Sequence, residues 1–194
     1  MHQMKKIGLT GGIGVGKTYI AKILQKLKIP VFNSDIEAKK CLLNNTILIE
    51  KLKLEFGKSI YKDGELQRKI LSNLIFNDKK KLNKLNSLVH PYVKESFDFW
   101  CKNQNSNIIV KEAAILFESK SHLDLDAIIC VSAPFELRVK RIEERDQLNK
   151  SEVNKIIYNQ MSQEKKEQLS DYIIINDEKK LILPQLINII KEME

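Results

Sequence analysis

Gly11-Gly12-Ile13-Gly14-Val15-Gly16-Lys17-Thr18 fits G-x-x-x-x-G-K-[ST] in full. Each part of the pattern has a physical reason. Glycines let backbone N–H groups turn inward and come close to phosphate oxygens. A helix that starts at the end of the loop presents its positive N-terminal end to the same anion. Lys17 is placed to reach the β- and γ-phosphates, and Thr18 offers a hydroxyl to Mg²⁺.

The flanks agree with that reading. Ile7-Gly8-Leu9-Thr10 reads as a buried strand before the loop. A helix from about Lys17 to Lys28 follows, with Ile20, Ile23, Leu24 and Leu27 on one face. Further apolar runs occur at Pro30-Val31-Phe32-Asn33, Ile108-Ile109-Val110, Ala127-Ile128-Ile129-Cys130-Val131 and Tyr172-Ile173-Ile174-Ile175. Continuous apolar runs separated by helices indicate a parallel sheet covered on both faces. The fold class is therefore α/β, a three-layer αβα sandwich with a parallel five-stranded sheet that carries the phosphate loop. A last helix from about Pro184 puts Leu183, Leu186, Ile187 and Ile190 on one side.

One region breaks the strand–helix rhythm. The residues from about Ile36 to Asn105 contain no convincing core strand and read as helices at Leu48 to Phe56, Leu66 to Phe76 and Leu82 to Cys101. The expected organisation is a nucleotide-binding core of residues 1–35 and 105–194, a helical insertion of residues 36–104, and a charged lid at about 140–166 within the core.

The 194 residues are enough to bury a core without disulfide staples. Cys41, Cys101 and Cys130 form no C-x-x-C pair, which argues against a zinc site and fits a reducing cytosol. His2 and His122 lack metal-ligand spacing to His90. No apolar run approaches the roughly 20 residues that span a bilayer, and the start does not read as a signal peptide. A cytoplasmic protein is expected, without a membrane partner. The net charge of +8 comes mostly from lysines spread over the chain. That is the pattern of a solvated surface, and no aromatic-basic interleaving points to nucleic acid. Nothing in the sequence sets an oligomeric state.

A switch GTPase needs N-K-x-D and D-x-x-G motifs, and neither is present. A large ATPase needs an apolar strand ending in Asp or Asp-Glu, whereas Ile108-Ile109-Val110 runs into Lys111-Glu112. Small-molecule kinases remain. Asp35 follows the second strand, at the end where open parallel sheets bind ligands. Its carboxylate can take a proton from an attacking hydroxyl or help hold Mg²⁺; equally, Asp35 or Ser34 can cap the next helix.

Only four arginines occur, and Arg138, Arg141 and Arg145 share one helix face. Their planar forks suit the oxygens of a triphosphate under a lid. The alternative is helix salt bridges with Glu144 or Asp146. Arg68 stands alone in the insertion, as a substrate-phosphate partner or a surface residue. His90 is a structural hydrogen bonder or an acceptor-side group. Glu118 faces the site or caps the next segment.

Read together, these residues resemble the dephospho-CoA kinase family over nearly the whole chain. Residues Gly8 to Thr18 resemble its opening G-L-T-G-G-I-G-S-G-K-S, with Val15 and Thr18 as mild changes. Asn33-Ser34-Asp35 resembles its D-A-D, with Asn33 in place of the first Asp. Asp63-Gly64-Glu65-Leu66-Gln67-Arg68, Leu88-Val89-His90-Pro91 and Glu112 to Glu118 resemble further family segments, with Ala114 where Pro is common. So do Asn159-Gln160-Met161 and Ser170 to Asn176.

The resemblance implies transfer of the γ-phosphoryl of ATP, with Mg²⁺, to the ribose 3′-hydroxyl of dephospho-CoA. It implies Asp35 as base, with Lys17, Arg141 and Arg145 as catalytic groups. Gly12, Ile13, Gly14, Val15, Gly16, Lys17, Thr18, Arg138, Arg141 and Asn176 would bind ATP, with Thr18 holding the metal and Asn176 bordering the adenine. Asp35, Arg68, His90 and Glu118 would line the acceptor side. Two rivals stand beside it: a kinase acting on a nucleoside or nucleoside monophosphate, and a nucleotide-gated binding module.

Overall fold

The computed structural model describes residues 4–76, 78–147, 149–158 and 160–193. Met1, His2, Gln3 and Asn159 lie outside them. In chain order the elements are β1 (Lys5–Thr10), α1 (Lys17–Lys26), β2 (Val31–Asn33), α2 (Ser34–Asn44) and α3 (Thr46–Phe56). Next come β3 (Tyr61–Lys62), β4 (Glu65–Leu66), α4 (Arg68–Phe76), α5 (Lys79–Lys102) and β5 (Ile108–Glu112). The chain continues through β6 (Ala127–Ser132), α6 (Phe135–Asp146), α7 (Lys150–Tyr158), α8 (Gln163–Gln168), β7 (Tyr172–Ile175) and α9 (Ile182–Met193). Two units result: Met1–Phe32 with Gln104–Glu194, and Asn33–Asn103.

The first unit is built on a five-stranded parallel sheet in the order β2-β5-β1-β6-β7. Alternation along the strands supplies a core on each face. Ile7 and Leu9 of β1, with Val110, Ile129 and Val131, pack with Ile20 and Leu24 of α1 and Leu186 and Ile189 of α9. Ile128 points to the other face, where it meets Ala113, Leu116 and Phe117. Each fully buried Leu or Ile contributes roughly 1.5–3 kcal/mol by leaving water.

Three details differ from the sequence expectation. In α1 the buried face is Ile20, Ala21 and Leu24, while Leu27 is exposed at the helix end. In α9 it is Ile182, Leu186, Ile189 and Met193, whereas Leu183 and Ile187 are exposed. Leu183 and Ile187 lie at one edge of a wide apolar arc, and only its centre packs against the sheet. Lastly, β5 runs on through Lys111 and Glu112, which are 3% and 4% exposed.

The second unit is helical, apart from the two-residue pairing of β3 with β4. Three of its helices, α2, α3 and α5, begin on side-chain caps, which satisfy otherwise orphaned N–H groups. Asn33 Oδ1 accepts from Ile36 N at 2.8 Å, Asn45 Oδ1 from Leu48 N at 2.9 Å, and Asp78 Oδ1 from Lys80 N at 2.9 Å. α5 buries Leu85, Val89, Val93 and Phe97 at i+4 spacing, one stripe of one helix. Among the described residues, no helix is long and apolar enough to cross a membrane.

Two buried acids set an alkaline limit on stability. Burial pushes the Tyr61 phenol up to about 12 and, with the Glu167 carboxylate, the Cys130 thiol up to about 11. In the unfolded chain these groups ionise near their ordinary values of 10.0 and 9.0. Above pH 9 the folded chain therefore holds more protons than the unfolded one, and stability falls as pH rises. We expect the urea midpoint to drop between about pH 9 and 12, and Tyr61→Phe to flatten the upper part of that drop.

Candidate active site

β1 ends at Thr10, whose hydroxyl donates to Ala113 O at 2.9 Å, and the phosphate loop begins there. Gly14 and Gly16 have φ of 83° and 94°, with Val15 between them outside the positive-φ region. Such alternation turns successive N–H groups toward one concavity, and only glycine adopts the left-handed positions without strain. Lys17 Nζ reaches back along the loop to Gly11 O at 2.8 Å and Gly12 O at 3.1 Å.

The loop is held from outside by side chains far along the chain. Arg138 Nε donates to Ile13 O at 3.0 Å, and Asn176 Nδ2 donates to Val15 O at 2.8 Å. Arg141 Nη1 lies farther off, 3.4 Å from Gly14 O. Gly12 N donates to Gln163 Oε1 at 2.9 Å and Ile13 N to Gln160 Oε1 at 3.0 Å. The amides of Gly12 and Ile13 are thus taken by glutamine oxygens. Those of Gly14, Val15 and Gly16 meet no protein acceptor among the described residues.

Of the three arginines on α6, Arg138 is buried at 5% exposure, and burial lowers its pKa from the ordinary value. Arg141 pairs with Glu178 at 2.9 Å. Arg145 grips its neighbour Asp146 with two bonds of 2.8 and 2.7 Å. The hydrogen bond between them raises the Arg145 pKa and lowers that of Asp146. The three side chains share a helix but not an environment.

Thr18 lies exposed in the first turn of α1, and its hydroxyl has no partner among the described residues. No cluster of three His, Cys, Asp or Glu able to hold a metal occurs among them. This set suits a hard cation carried by phosphate oxygens and one protein hydroxyl.

In the second unit, Asp35 sits in the first turn of α2, exposed and without a side-chain partner among the described residues. Asn33 caps that helix, so neither Asp35 nor Ser34 is needed there. Arg68 opens α4 and lies with Lys39 and Ser72 on a cavity of ≈ 230 Å³. Leu42, Leu43, Leu66, Leu71, Ile75 and Leu85 make the rest of its wall. His90 sits inside α5, just before Pro91.

Glu118 belongs to the first unit, where its Oε1 pairs with Lys166 Nζ at 2.9 Å and accepts from Met161 N at 2.9 Å. Lys166 is fully buried and also donates to Ala114 O. Gln163, one turn earlier, joins Gly12 N to Val131 O and Glu167. Sequence reading missed both residues, because a run such as Gln163-Glu164-Lys165-Lys166 reads as solvated surface. Their i, i+3 spacing is the one signal that they share a face.

A family model described as dephospho-CoA kinase matches residues 5–181. A dephospho-CoA kinase of Bacteroides fragilis is 36% identical over 186 residues, covering 95% of this chain and 91% of the relative. The chain belongs to the dephospho-CoA kinase family. Solved structures agree in fold. A protein from Thermus thermophilus superposes with TM-score 0.88 at 28% identity, and the dephospho-CoA kinase of Campylobacter jejuni with 0.68 at 26%; each alignment covers 98% of both chains. The parallel sheet and the phosphate loop thus belong to a kinase.

Proposed function

We propose that this chain transfers the γ-phosphoryl of ATP to the ribose 3′-hydroxyl of dephospho-CoA, giving coenzyme A, in the cytoplasm. One observation carries the reading above the others. The loop between β1 and α1 offers the N–H groups of Gly14, Val15 and Gly16 without a protein acceptor among the described residues, beside Lys17. That is an anion cradle with a cation at its mouth.

The roles follow from chemistry. The cradle and Lys17 hold the β- and γ-phosphates, and Thr18 gives a hydroxyl to Mg²⁺. Mg²⁺ bound with ATP supplies neutralisation of charge on those oxygens. Asp35 accepts the proton of the acceptor hydroxyl. Arg141 and Arg145 stabilise charge on the transferring group, with Arg138 in support and the charged segment at about 140–166 acting as a lid. Arg68 and His90 serve the acceptor. The leucine-lined cavity beside Arg68 and Lys39 suits a molecule with a diphosphate and a branched apolar arm. Glu118 holds the Met161 segment directly through the Met161 N–H, and Lys166 fixes the Glu118 carboxylate.

The test is ADP release from Mg-ATP with and without dephospho-CoA, with the product weighed by mass spectrometry. We expect a large acceptor-dependent rate and one phosphoryl group added to the acceptor. ATP binding without stimulation by that acceptor would overturn the substrate assignment.

A further inference from the structure

A trans peptide is planar, so the C=O of one residue and the N–H of the next point in opposite directions. Holding the oxygen on one side therefore aims the N–H on the other. Two peptides of the phosphate loop are held this way by donors from outside the loop at 3.0 Å or less. Arg138 Nε takes Ile13 O at 3.0 Å, which orients the N–H of Gly14. Asn176 Nδ2 takes Val15 O at 2.8 Å, which orients the N–H of Gly16.

Asn176 is well placed for this. It is 9% exposed and follows β7 directly. Its own N–H donates to Ser132 O at the end of β6 at 2.7 Å, and its carbonyl accepts from Arg141 Nη2 at 3.3 Å. The side chain therefore projects from a backbone fixed to the sheet. Its Nδ2 also lies 2.3 Å from where a Cβ on Gly16 would stand, so the amide group packs straight onto the loop backbone.

We propose that Asn176 is a positioning residue that aims the Gly16 N–H at phosphate by holding the Val15 carbonyl, so that it acts on the triphosphate and not on the base. The proposal rests on the loop binding a triphosphate and is independent of the acceptor. It differs from a role beside the adenine in one measurable way: the base should not matter.

The experiment compares ATP with magnesium tripolyphosphate, which has no base, on native protein, Asn176→Ala and the isosteric Asn176→Asp. Affinities are measured by calorimetry. Thermal unfolding checks that each variant folds, and the Gly16 amide is followed by ¹⁵N NMR. Loss of one hydrogen bond should weaken both ligands by about the same factor, about tenfold, in Asn176→Ala. Asn176→Asp cannot donate to Val15 O and should weaken both further. Its Gly16 resonance, which shifts on tripolyphosphate binding in the native protein, should shift less.

A variant that loses ATP affinity but keeps tripolyphosphate affinity would overturn the proposal and make Asn176 a base-side residue. Unchanged affinity for both would overturn it as well. Should Asn176→Ala not fold, the Asn176→Asp comparison decides. Native protein that binds both ligands yet leaves dephospho-CoA unphosphorylated would sink only the acceptor reading.

Discussion

Asp35→Asn lowers acceptor-dependent turnover by about 10²–10⁴-fold and leaves ATP affinity near its native value. The size is that of losing a general base. The structure makes the substitution clean. Asn33 Oδ1 caps α2, so removing the Asp35 charge leaves the helix start intact. Asp35 is exposed and has no side-chain partner among the described residues, so no buried group is orphaned. Asparagine keeps the shape and loses only the ability to take a proton. Steady-state kinetics with dephospho-CoA, beside calorimetric ATP binding, separates the two quantities. Near-native turnover would remove Asp35 from the role of base.

The second large effect is on stability. Lys166→Met should cost about 2–3 kcal/mol, near the lower bound for breaking a buried pair. Lys166 is fully buried, whereas the Glu118 side chain is 24% exposed, so part of the stranded charge reaches water. Glu118 also keeps the Met161 N–H. Ala114 O loses a donor. For a chain of this length the melting point should fall by about 5–10 °C. Glu118→Gln and the double variant complete a cycle that isolates the pair. A loss under about 0.5 kcal/mol would show that the pair behaves as a surface bridge.

The sheet was legible because each strand is a continuous apolar run beside a helix of different period. The loop was legible because glycine and lysine spacing follows from phosphate chemistry. Three things were not. The buried face of α9 was hidden because Leu183 and Ile187 widen the apolar arc beyond the stripe of Ile182, Leu186, Ile189 and Met193 that packs. The end of β5 was hidden because Lys111 and Glu112 look like surface and are buried. The cap of α2 was hidden because Asn33, Ser34 and Asp35 are all favoured capping residues in a row, and only the side-chain geometry separates them. The glutamines on the loop rim and Lys166 belong to the same class: polar groups turned inward by tertiary contacts that no periodicity records.

The loop's grip on its surroundings bears on protein engineering. Residues 11–18 carry the amides and the lysine, while Arg138, Gln163 and Asn176 hold the loop's outer side from the last third of the chain. Grafted onto another strand and helix, the octapeptide would bring its composition without its aim. A transplanted nucleotide site therefore needs these remote hydrogen-bond partners copied with it, and random drift at those distant positions can erode the site while its signature stays intact.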